Sequence, residues 1–201
     1  MFVEESKTYA IAPAGVHLAV CSRFVDLGTR YNELYEKKQH RVMISWQIPD
    51  ERVEVDGADL PLQHSEFYTW SMHPDANLRK ALESWRNKPF TTADLAGPPS
   101  GFDTRKLIGV GCQLQIMHND KGKAVVSAIL PIPKRDDWPK IEGDSTYFQM
   151  QSPPMDMAAF KGLSDGLKKS IQDSEEWEKA NASVKDFDDG RDPMEDSEIP
   201  F

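Results

Sequence analysis

Residues 41–48 alternate without a fault. Val42, Ile44, Trp46 and Ile48 fall on one side, and Arg41, Met43, Ser45 and Gln47 on the other. A repeat of two is the mark of a strand with one buried face, because successive side chains leave the pleat in opposite directions. A strand of this kind needs strand neighbours and a covering layer. The rest of the chain must therefore supply a sheet and something apolar to lie against it.

Residues 15–29 supply a first strand, with Val16, Leu18 and Val20 alternating with His17, Ala19 and Cys21. It is long, so a bulge or bend is expected near Ser22 or Arg23. A third strand is expected from about Leu62 to Met72, carrying Phe67, Tyr68 and Trp70. Polar residues 30–40 read as a connecting loop with room for one helical turn, and Pro49 to Gly57 as a second loop. Leu78, Ala81, Leu82 and Trp85 then recur at helical spacing, with Pro74 and Asp75 suited to the first turn and Pro89 ending the helix. Residues 90–109 read as an insertion, Gly111–Met117 as strand four, 118–123 as a turn and Ala124–Leu130 as strand five. Three strands, a helix and a hairpin follow the element order of a five-stranded OB-fold, a small β-barrel whose helix between strands three and four would plug one end. Other small α+β domains share that count of elements.

Five segments are expected: an extension over 1–14, the OB-fold domain over 15–135 and a loop-rich linker over 136–155. A helical segment over 156–182 and a disordered acidic tail over 183–201 complete the chain. In the helical segment Met157, Phe160, Leu163, Leu167 and Ile171 would share one face, and Ser174 would cap a last short helix holding Trp177.

The net charge of −9 is unevenly placed: residues 186–201 carry −6, residues 173–185 carry −2, and residues 1–172 only −1. An acidic average therefore conceals a near-neutral body, which leaves room for a basic groove. Cys21 and Cys112 both lie in strand-like stretches and are expected as buried small hydrophobes. No spacing of Cys or His suggests a metal site, so neither a metal nor a cofactor is expected. Met1–Glu5 has no basic or apolar run, and no apolar stretch is long enough for a bilayer, so a soluble protein is expected.

Several stretches resemble a family of bacteriophage replication proteins that bind single-stranded DNA. These are Val20–Gly28, Asn77–Arg79 with Ser84–Arg86, Pro89-Phe90, Gly101–Asp103, Lys106–Gly109 and Leu130–Lys134. The last residues, Glu195-Asp196-Ser197-Glu198-Ile199-Pro200-Phe201, are similar to the acidic Ile-Pro-Phe tip of bacterial single-stranded DNA-binding proteins, apart from Ser197 among the acids. The resemblance implies an OB-fold, binding without sequence preference in DNA replication, recombination and repair, and a place in the cytoplasm of an infected bacterial host. It also implies that Glu195, Asp196, Glu198, Ile199, Pro200 and Phe201 recruit replication or repair proteins. A homodimer is left open, and no membrane partner is expected.

Holding a single strand takes cations along the phosphates and flat rings under the bases. On an OB barrel, Arg23 and Arg41 would stand on the binding face. Phe67, or else the pair Tyr68 and Trp70, would supply the rings, since neighbours on a strand point opposite ways. Arg30, Tyr35, Lys37 and Lys38 would flank one side and Lys121 and Lys123 the other. Trp46 and Trp85 belong to apolar faces and are expected in the core. Asp50, Glu51, Glu54, Asp56 and Asp59 read as a solvated loop, and no serine or glycine pattern supports catalysis, so a non-enzyme is expected. The alternative is an OB-like interaction module whose acidic tail mimics DNA and inhibits a nuclease or recombinase.

Overall fold

The computed structural model describes residues 10–97, 101–133, 138–150 and 155–180. The acidic tail, and with it every residue expected to bind a partner protein, lies outside the described residues. Strands β1 (Gly15–Asn32), β2 (Lys37–Val55) and β3 (Ala58–Thr69) come first, then helix α1 (Asn77–Arg86). They are followed by β4 (Gly111–His118), β5 (Ala124–Leu130), β6 (Thr146–Phe148), α2 (Met157–Lys161) and α3 (Asp165–Gln172). The molecule is mainly β. Its sheet runs β3-β2-β1-β4-β5, antiparallel throughout, with the short β6 added parallel to β1.

β1 organises the sheet. Its first part pairs with β4 from Gly15 to Val20, its later part with β6 from Arg23 to Val25, and β2 accompanies it from Val20 to Asn32. So long a strand must bend, and the register slips between Cys21 and Arg23 and again between Asp26 and Gly28. The first slip is the bulge expected near Ser22.

The strands outrun their sequence signals. Residues 30–40 are two strand ends joined by a 3-10 turn at Glu33–Tyr35, where a loop was expected. Pro49, Asp50 and Glu51 sit in a register shift between Ile48 and Arg52, so β2 continues through a bulge that tolerates a proline. Asp56 and Gly57, both at positive φ, then make the tight turn into β3. The helix begins at Asn77, which leaves Pro74 and Asp75 ahead of it.

Two apolar clusters lie against the sheet. The larger holds Ala19, Cys21, Phe24, Val42, Ile44, Trp46 and Ile48 with Leu78, Leu82 and Trp85 of α1. Trp46 is fully buried, its ring 5.9 Å from that of Trp85. Cys21 and Cys112 are buried and free, and burial pushes the Cys21 thiol up to about 12. The smaller cluster joins Val25, Leu27 and Met43 to Phe148, Met150, Phe160, Leu163 and Ile171.

Residues 138–150 are thus no linker. They contain β6, and Gln47 clamps Glu142 through both backbone groups, at 2.8 and 2.9 Å. The single helical face expected beyond residue 155 is also corrected: α2 and α3 are separate, broken at 162–164, with Phe160, Leu163 and Ile171 buried but Met157 exposed. Ser174 does cap the helical residues 175–180, its Oγ accepting from Trp177 N. Gly28, at φ 71°, lets this segment approach β1: a Cβ there would collide with Met150 and Ser174. Among the described residues no helix is long and apolar enough to cross a membrane.

Candidate nucleic-acid interface

The β2–β3 register decides which way the aromatic residues of β3 point. Val42, Ile44, Trp46 and Ile48 pair with Tyr68, Glu66, His64 and Leu62, and Arg41, Met43 and Ser45 pair with Thr69, Phe67 and Ser65. Tyr68 therefore lies on the core side, packed against the larger cluster, where burial first and the Glu66 carboxylate second push its hydroxyl well above the usual range. Phe67 lies on the opposite side and is 47% exposed. The register thus puts Phe67 on one side of β3 and Tyr68 on the other, and both line the groove beside the β3 edge.

Phe67 does not stand alone. The Arg41 guanidinium lies 5.3 Å from its ring centroid, a cation–π contact that holds both groups at the surface. Beside them runs a groove of about 870 Å³ between the β3 edge, α1 and β5. Lys37, Gln39, Phe67, Thr69 and Ser71 line one wall, Asn77 and Lys80 of α1 and Val126–Ile129 of β5 the other. Lys37 also reaches to within 5.9 Å of the exposed Tyr35 ring. Among the described residues, no carboxylate forms an ion pair with Lys37, Arg41 or Lys80. Acids are present too: Asp75 lines the groove, as does Glu66, whose Oε1 accepts from Val126 N (2.8 Å) and lies 3.2 Å from His64 Nε2.

Other expected residues are placed differently. Arg30 and Lys38 are paired with the chain's own later acids, Arg30 with Asp173 at 3.7 Å and Lys38 with Glu175 at 2.7 Å. Both therefore carry an ion pair within the chain, at positions that remain open to solvent. Arg23 is half-buried at the bulge, its Nε without a hydrogen-bond partner among the described residues. Trp70 has turned to the far side of the β3 exit, its ring edge-on to Phe24 at 6.1 Å. Lys121 and Lys123 are exposed in the turn leading into β5, their backbone N–H groups donating to Asn119 Oδ1. That turn directly precedes the β5 residues that wall the groove.

Lys80 and Gln39 escaped the sequence reading. Lys80 lies off the buried stripe of α1, which marks it only as a solvated position; its value comes from where α1 sits, opposite β3. Compared with models of protein families, with curated proteins and with solved structures, the chain shows no match in any of the three.

Proposed function

We propose that this chain binds single-stranded DNA without sequence preference, in phage replication and recombination, using the groove beside Phe67. The observation that carries the reading is the outward Phe67–Arg41 pair on a groove whose cations Lys37 and Lys80 are unneutralised. Ring stacking holds any base, and the cations track the phosphates. We read the sheet as the strand set of an OB barrel. β1 serves both β2 and β4, the edges β3 and β5 come together through the Glu66–Val126 hydrogen bond, and α1 covers the gap between them. The acidic Ile-Pro-Phe tip is proposed to recruit replication or repair proteins.

A mobility shift with a labelled dT oligomer and a matching duplex tests this. The single strand alone is expected to bind, less tightly as salt rises, and Phe67→Ala is expected to weaken it about ten-fold, within the roughly 1–3 kcal/mol that one stacked base contributes. A wild-type chain that binds neither probe sinks the reading and leaves the interaction module.

A further inference from the structure

We infer that a second cleft, on the far side of the β3 exit, is another nucleotide-binding site for the same single strand, with Trp70 as its stacking platform and Arg105 as its phosphate contact. This rests on the single-strand reading above. The cleft has a volume of about 550 Å³ and includes Trp70, Phe102, Arg105, Tyr147 and Gln149 in its walls. Trp70 is well fixed: its backbone N–H donates to His40 O at 2.7 Å and its ring abuts Phe24, yet it stays 36% exposed. A ring held in place and left partly open loses little freedom on stacking.

The polar groups around it are available. The exposed Arg105 guanidinium lies 5.2 Å from the Tyr147 ring centroid, and among the described residues no carboxylate pairs with it. Gln149 Oε1 accepts from the Tyr147 hydroxyl at 3.0 Å, which leaves its amide N–H groups for a base edge. Of the two acids at the rim, Asp94 has a cationic partner, whereas Asp103 is exposed and keeps its charge. Asp94 accepts from the backbone and hydroxyl of Thr91 and from Arg86, and Asp103 caps Arg105 N. A flat wall, an unpaired cation and a free amide match a nucleotide part by part: base, phosphate and base edge. A purely apolar occupant would leave the guanidinium and the amide facing it without partners.

Continuity with the first groove supports one strand in both. Ser71 lines the Phe67 groove while its neighbours Trp70 and Met72 line the cleft, so the two flank the chain where it leaves β3. Phe67 and Trp70 are three residues apart, about 10 Å along a strand. That separation lies well within the ~4–16 nucleotides one such fold engages.

The test is a titration of the full chain with dT oligomers of increasing length. Trp70→Leu and Arg105→Gln are each expected to spare the shortest oligomers that bind and to weaken longer ones about ten-fold, which is about 1.4 kcal/mol. Trp70→Phe, which keeps a ring against Phe24, should restore most of the affinity while abolishing much of the tryptophan quenching that dT produces in the wild type. Arg105 is exposed, so its variant reports on the site even if Trp70→Leu fails to fold. If Arg105→Gln and Trp70→Phe leave both affinity and quenching untouched while Phe67→Ala still weakens binding, the cleft is no site and the single-strand reading stands. A wild type that binds no oligomer overturns both.

Discussion

Neighbouring residues on one strand have opposite fates. On β2, Lys37 and Arg41 lie beside the rings of Tyr35 and Phe67 with no ion pair among the described residues, whereas Lys38 and His40 face Glu175 and Glu176. Arg30, on β1, joins the second group through Asp173. The first group keeps its charges unpaired among the described residues; the second is used to hold residues 173–176 against the β1–β2 hairpin. A count of cations therefore says little about a binding face. What matters is which of them the chain itself neutralises.

The largest effect should come from removing what brings those acids to the hairpin. Phe160 stacks on Trp177 at 4.6 Å and meets Phe148 at 5.9 Å in the smaller core. Phe160→Ala is expected to cost roughly 3 kcal/mol, as large-to-small changes of a buried aromatic do. The loss would appear as a lower urea midpoint in one cooperative transition. A midpoint equal to the wild type's would mean that the C-terminal helices add nothing to the fold, and the contrast between the two sets of cations would lose its cause.

Charge removal sharpens the contrast at the next scale down. Lys37→Gln with Arg41→Gln should lower the slope of log affinity against log salt for dT by about 1.4, at about 0.7 for each phosphate contact on a single strand. Arg30→Gln with Lys38→Gln should leave the slope nearly unchanged, because their charges are already matched. Exposed pairs of that kind contribute only about 0–1 kcal/mol to stability, so the second variant should fold normally. Equal slopes in the two double variants would refute the division.

Much of the architecture was written in local pattern. The alternation over 41–48, the α1 stripe and the 124–130 strand all hold, and Trp46 and Trp85 are buried as their faces imply. The strand ends were hidden because Lys37–His40 and Arg52–Val55 extend ladders beyond the fully buried stretch, where little burial marks the period. β6 is only three residues long, too short to show any period, and it forms because β1 offers it an edge. The site was half legible. That Phe67 and Tyr68 face opposite ways follows from the pleat, but the side bearing Tyr68 also carries His64 and Glu66, polar residues that disguise it as the outer one. The pairing of Lys38 with Glu175 depends on packing between segments remote in sequence, which no local rule encodes.

The smallest predicted effect probes the acid-facing side of the hairpin through pH. His40 Nε2 lies 2.7 Å from Asp26 Oδ1, and its Nδ1 lies 3.5 Å from Glu176 Oε1 and 3.4 Å from Thr29 Oγ1, with the Trp70 ring beyond. Burial alone would lower the imidazole's pKa; the Asp26 hydrogen bond and the charges of Asp26 and Glu176 outweigh it and hold the value above the ordinary 6.5. For Glu176, burial pulls upward, but the hydrogen bonds from Thr29 and the His40 charge hold the carboxyl below its ordinary 4.5. A raised histidine stabilises the fold fully below its unfolded value and loses that contribution as pH climbs through its folded value. A depressed carboxyl acts in the other sense, contributing above its unfolded value and fading as pH falls through its folded one. Both groups are charged between about 4.5 and 6.5, so the hairpin should hold residues 173–176 most firmly there. His40→Gln should therefore lower the melting temperature at pH 6 by a few degrees, and the gap to wild type should narrow as pH rises beyond the histidine's folded value. A gap that stays constant from pH 6 to pH 9 would mean that His40 acts by shape alone, and that the hairpin's hold on the acids owes nothing to its charge.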